Sequence, residues 1–214
     1  GEPDDVDGEV TAANLEHAIT TWATDADSLV IYLTDHGGRG NFRMNPKELL
    51  YADQLASWLN TLQETVPEVI VVYDACHSGT FISALTPPPD GKKRIIITSA
   101  SPEEKANFIT PGFISFSGYF WSHVFNGLDI REAFDLANTA ISKESQHPLL
   151  DADGDGSPNE PDDLDLMRNF YIGNGTPIQA EAPRLQTCPK IRPSTAQTRP
   201  SCTPPASQTR TASH

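Results

Sequence analysis

Positive charge is scarce in this chain: 15 Lys and Arg face 29 Asp and Glu, a formal net charge of −14. That balance argues against nucleic-acid binding, which wants a basic face. Cysteine is nearly as scarce. Cys76, Cys188 and Cys202 make an odd count in 214 residues, which is no disulfide framework. No apolar run approaches the roughly 20 residues that span a bilayer, and no signal peptide is visible. A G-x-S-x-G elbow is also missing, which weakens any serine-hydrolase reading.

What charge there is lies unevenly. All 29 acids and 10 of the basic residues fall at or before Ala182, with acidic clusters at 2–9 and 151–165. Residues 183–214 hold 6 prolines and 10 serines or threonines, no acid and little apolar content. Such a stretch cannot bury enough surface to offset its ordering entropy, so it is expected to be a disordered tail. One domain is expected over residues 1–182.

Apolar patterning organises that domain. Residues 11–23 predict a helix capped by Thr11, with Leu15 and Ile19 on one face and Trp22 near it. SLVIYLT at 28–34 is a short β-branched run ending at DHGGRG, a buried strand followed by a loop. Asp53 is the expected cap of a helix at 53–63, and EVIVVYD at 68–74 is the strongest strand signal. RIIIT at 94–98 follows, then helices near 117–126 and 130–143; Phe170-Tyr171-Ile172 reads as a last strand or a peripheral segment. Alternating strands and helices predict an α/β sandwich around a mainly parallel sheet.

Parallel sheets carry their functional loops at the carboxyl ends of the strands. His36 and Cys76 both stand just past such ends. If their strands are neighbours the two side chains meet, and an imidazole beside a thiol can hold or accept its proton. Gly37 lets the backbone approach a ligand closely, and its amide with that of Cys76 could stabilise an oxyanion.

HGG at 36–38 and DACHSG at 74–79 resemble the two signatures of the caspase–legumain superfamily of cysteine peptidases. LVIYLTDHGG and GFISFSGYFWSHVFNG (112–127) are similar to the bacterial legumain-like group, family C13. The resemblance covers about residues 11–175 and implies a three-layer α/β/α, caspase-like sandwich that cleaves peptide bonds. It implies His36 as general base and acid, Cys76 as nucleophile and Gly37 in the oxyanion hole. Asp74 matches an acidic position of the pocket for the residue before the scissile bond (P1), with Ser99 and Ser117 on its far wall. DxCHSG is closer to metacaspases, which take Arg or Lys, whereas legumain prefers Asn; a basic P1 is slightly favoured. The resemblance also implies a strand ahead of the first helix, so the natural protein is expected to extend upstream. A catalytically silent interaction module of the same fold is the alternative. TPPPDGKK at 86–93 is a conceivable self-cleavage site.

DADGDGSPNEPD at 151–162 matches an EF-hand calcium loop, apart from Asp at its last position. The expected ligands are Asp151, Asp153, Asp155, the Ser157 carbonyl, Asn159 and Asp162. Prolines 148, 158 and 161 argue against flanking helices. The loop resembles isolated calcium loops of extracellular bacterial proteins, a hint of export. Asp5-x-Asp7-Gly8 resembles the end of a second one. Calcium would be structural, since Cys–His chemistry needs no cofactor. A peptide or protein substrate is the expected partner, and oligomeric state is left open.

Overall fold

A computed structural model describes residues 8–88, 92–109, 114–142 and 145–177. The proposed tail, the Asp5–Gly8 motif apart from Gly8, and part of the 86–93 segment lie outside the described residues.

Three β-branched runs form the centre. Strands β1 (Leu29–Thr34), β5 (Glu68–Asp74) and β6 (Lys93–Thr98) pair in parallel in the order β1-β5-β6. A short strand, β7 (Leu149–Asp151), adds antiparallel to β6. The sheet is therefore mixed, and β7 went unread because three residues carry no periodicity. Side chains alternate across it. Ile31, Leu33, Val69, Val71, Tyr73 and Ile96 face one core, while Ile70, Val72, Ile95 and Ile97 face the other.

Helices cover both faces, giving α/β/α packing. On the first lie α1 (Ala12–His17), α2 (Ala52–Leu62) and α3 (Ile82–Leu85); on the second, α4 (Phe116–Phe125) and α5 (Ile130–Ile141). Helix α2 buries Leu55, Trp58, Leu59 and Leu62 on one stripe. Tyr51 occupies its N-cap position and Asp53 sits in the first turn, favourable to the helix dipole without capping it. Thr11 does cap α1, accepting the Asn14 amide at 3.2 Å. The expected helix at 11–23 nevertheless changes form at Ala18–Trp22, which makes a π-helical turn, and Trp22 ends 72% exposed.

Between β1 and α2 the chain makes a three-stranded antiparallel sheet: β2 (Gly37–Gly38), β3 (Asn41–Asn45) and β4 (Glu48–Tyr51). The polar DHGGRG sequence suggests only a loop. Phe42, Met44 and Leu50 carry it, burying themselves in the first core. Phe170-Tyr171-Ile172 forms no strand; Phe170 and Ile172 pack against the second core as a peripheral segment. The acidic loop is followed by helix α6 (Pro161–Leu166), contrary to the expectation from its prolines. Pro161 sits in the first turn, where its missing N–H has no helical partner to lose.

Candidate active site

Register brings the two motifs together. Thr34 on β1 is directly opposite Asp74 on β5. His36 and Cys76 each follow by two residues, so the parallel strands deliver both to the same rim. They line one cleft of about 490 Å³ with Thr34, Asp35, Ala106 and Phe108. Cys76 is half-buried, its Sγ 4.0 Å from the Ala106 carbonyl oxygen, while His36 is exposed.

The loops carrying them are pressed against each other. A Cβ on Gly37 would overlap the Cys76 carbonyl oxygen and stand 2.6 Å from the Tyr73 hydroxyl. Only glycine fits there. The Gly40 amide also donates to Thr80 Oγ1 at 2.9 Å, joining the far side of the histidine loop to the turn after the thiol. His77, next to Cys76, has a left-handed backbone (φ 59°), which few side chains adopt readily. Its amide donates to the Glu104 carbonyl at 2.7 Å and its Nδ1 lies 2.9 Å from the Pro102 carbonyl oxygen. Burial, with Cys76 close by, pushes the Tyr73 phenol well above its ordinary value.

Asp74 sits beneath this rim and is fully buried. Its Oδ2 accepts the Ser117 amide at 2.9 Å, whereas Oδ1 has no partner among the described residues. Burial raises its pKa, and the Ser117 and Ser99 hydroxyls only temper the rise. The structure thus gathers Asp74, Ser99 and Ser117. It adds Tyr32, whose hydroxyl donates to Ser117 Oγ at 2.8 Å and which sequence reasoning missed. The alternation of β1 could have pointed to it, since Tyr32 shares the outward face of Val30 and Thr34.

The acidic loop forms a separate cluster. Ligand-capable oxygens of Asp151, Asp153 and Asp155 lie within 4.8 Å of one another. Asp151 is buried at the end of β7, accepting the Gly154 amide at 2.8 Å and the Gly156 amide at 2.9 Å. Burial, then the Asp163 and Asp153 charges, push its pKa up to about 6 against the pull of those amides. Among the described residues no lysine or arginine pairs with any of the three. Convergent carboxylates without a cation of their own fit a hard divalent ion.

The rest of the expected ligand set is arranged differently. The Asn159 side chain faces β7, accepting the Leu150 amide at 2.9 Å and donating to the Pro148 carbonyl at 3.1 Å. Asp162 is exposed on α6. Asp163, uncounted in the sequence reading, is buried under the loop and accepts the amides of Ala152, Asp153 and Glu160. Asp163 closes back on the Glu160 amide as in a capping box, but Glu-x-x-Asp lacks the usual Ser/Thr-x-x-Glu signature. Ser157 donates its amide to Asp155 Oδ1 at 2.7 Å.

Residues 7–120 match the peptidase C13 family. The chain belongs to that family. The match contains both motifs, with Asp74, Ser99 and Ser117, and ends before α5, β7 and the acidic loop. Curated proteins provide no match to the chain. Family membership supports a peptidase role, and no helix among the described residues is long and apolar enough to cross a membrane.

Proposed function

We propose that the protein is a cysteine endopeptidase in which Cys76 and His36 act as a dyad. The observation that carries this reading is the Thr34–Asp74 register, which puts both residues on one rim and into one cleft. His36 takes the thiol proton as Cys76 Sγ attacks the scissile carbonyl carbon. The oxyanion is held by the Gly37 and Cys76 amides. As the tetrahedral intermediate collapses, His36 returns the proton to the leaving amine and a thioester remains. Water, deprotonated by His36, then releases the acid and the free thiol.

Asp74, Ser99 and Ser117 line the P1 pocket in this reading. A buried carboxylate with one oxygen unpartnered favours an Arg or Lys side chain, which supplies the missing donor and the opposite charge. The test is a panel of fluorogenic peptides with Arg, Lys, Asn or Asp at P1. Cleavage of the basic substrates that disappears in Cys76→Ala is the expected result. Undiminished turnover by Cys76→Ala would refute the mechanism, and no turnover by wild type would favour a silent module of the same fold.

Asp151, Asp153 and Asp155 would hold a calcium ion, with Asp163 bracing the loop from below. The ion supplies charge neutralisation for carboxylates otherwise held together at a cost. Its expected signature is a melting temperature that falls on adding chelator; an unchanged value counts against it.

A further inference from the structure

One wall of the cleft is built from the segment leaving β6. Residues 99–108 have no regular secondary structure, yet they contribute Ser99 beside Asp74 and Ala106 and Phe108 to the cleft itself. Irregular backbone next to a nucleophile needs something to hold it still.

Two side-chain systems do so, and both involve the pair of residues Gln146-His147. Gln146 is fully buried. Its Nε2 donates to the Ser99 carbonyl at 2.7 Å, and its Oε1 accepts the Asn107 amide at 2.8 Å and the Asn107 side-chain amide at 3.2 Å. A single side chain therefore grips the wall at both ends. Glu104 grips its middle. The Glu104 carboxylate accepts the amides of Ser101 at 3.2 Å and His147 at 2.8 Å and meets His147 Nδ1 at 2.6 Å, while its carbonyl accepts the His77 amide at 2.7 Å. The wall is thereby referenced to the turn that carries Cys76.

We infer that Gln146 is a positioning residue for substrate selection, with Glu104 as its second anchor. The inference rests on the peptidase reading and deepens it. Gln146 touches neither Cys76 nor His36; it acts through Ser99 on the P1 pocket and through Asn107 on the neighbouring cleft wall. Buried and shielded from competing water, its hydrogen bonds hold the wall more firmly than surface bonds would. Loosening it leaves the dyad, carried by the loops that follow β1 and β5, in place while the P1 pocket loses its shape.

The experiment compares wild type, Gln146→Met and Gln146→Glu on the P1 panel, with thermal melts alongside. Met keeps the length and removes all three bonds. The expected result is a rise in KM of about ten-fold, a comparable shrinkage of the preference between the best and second-best P1 residue, and kcat within about three-fold. Glu keeps the acceptor for Asn107 and loses the donor to Ser99, so it should fall between the two. A folded Gln146→Met enzyme with wild-type KM and P1 preference overturns the inference, as does a loss confined to kcat. Should that variant fail to fold, Glu104→Ala decides instead: about a three-fold rise in KM supports the inference, and wild-type kinetics overturn it. A wild type that cleaves nothing sinks the peptidase reading, a result distinct from an active wild type whose variants match it.

Discussion

Replacing Asp74 by Asn should make the protein more stable at neutral pH while destroying the basic P1 preference proposed above. Asp74 is fully buried and its Oδ1 is unpartnered among the described residues. Leaving such a group unsatisfied costs about 1–3 kcal/mol, and more when it is charged. The sign follows from its raised pKa. Below the ordinary carboxylate value of 3.8 the group is protonated folded or unfolded, and nothing is lost. As pH climbs through the higher folded-state value, the fold must hold a buried anion, and stability drains away. Asn does not titrate. Its carbonyl can keep the Ser117 amide. The variant should gain about 2 kcal/mol at pH 8, roughly 4–8 °C in melting temperature for a domain this size. The gain should vanish near pH 4. Cleavage after Arg or Lys should fall roughly 100-fold, the loss of one buried charge pair. Melts from pH 4 to 8 with parallel kinetics provide the check. A variant less stable at pH 8, or a gap that ignores pH, would refute the reasoning.

Three further outcomes follow from the geometry. Gly37→Ala forces a methyl onto the Cys76 carbonyl oxygen and the Tyr73 hydroxyl, one on the turn after β5 and one on β5 itself; activity should be lost with at least about 2 kcal/mol of stability, read by denaturant melts. Asp163→Ala strips three amides of their acceptor and should cost about 2–4 kcal/mol, against under about 0.5 for exposed Asp162→Ala; equal effects would show that Asp163 is not the brace. Leu59→Ala, fully buried on α2, should cost about 2–5 kcal/mol in the same measurement.

Legibility followed burial. Strands β5 and β6 announced themselves because strands covered on both faces need unbroken apolar runs, and β1, whose Val30 and Tyr32 stay exposed, through its β-branched and aromatic content. The hairpin β2–β4 did not, since only alternate residues such as Phe42 and Met44 are buried and the glycines ahead of them look like a loop. At the site, His36 and Cys76 could be named from their motifs, but their meeting depends on β1 lying directly beside β5, a pairing no local pattern encodes. Gln146 and Glu104 gave no signal at all. Their importance comes from carbonyls and amides that topology brings to them from 39 to 47 residues away. Asp163 was missed for a different reason. Counting by the EF-hand template assumes a fixed loop length, whereas α6 begins after Glu160 and puts its third residue, not its second, under the loop.

The direction of β7 also decides what a cation in the acidic loop can do. Leu149 pairs with Thr98 at the cleft rim, and the strand runs antiparallel so that Asp151 pairs with Ile96, farther down β6. Asp151 and the loop that follows are therefore carried away from Cys76, too far down the sheet to touch a scissile bond. A cation there offsets the burial, and the Asp163 and Asp153 charges, that lift Asp151 to about 6, and that relief is felt by the fold. Saturating calcium at about 100 times its dissociation constant adds about 2.7 kcal/mol, or roughly 5–10 °C. Turnover at 25 °C, well below unfolding, should stay within about two-fold between calcium and chelator, because no ligand belongs to the chemistry. Calcium that raised kcat severalfold at that temperature, with the melting point unmoved, would mean the loop acts on the cleft and would refute a purely structural ion.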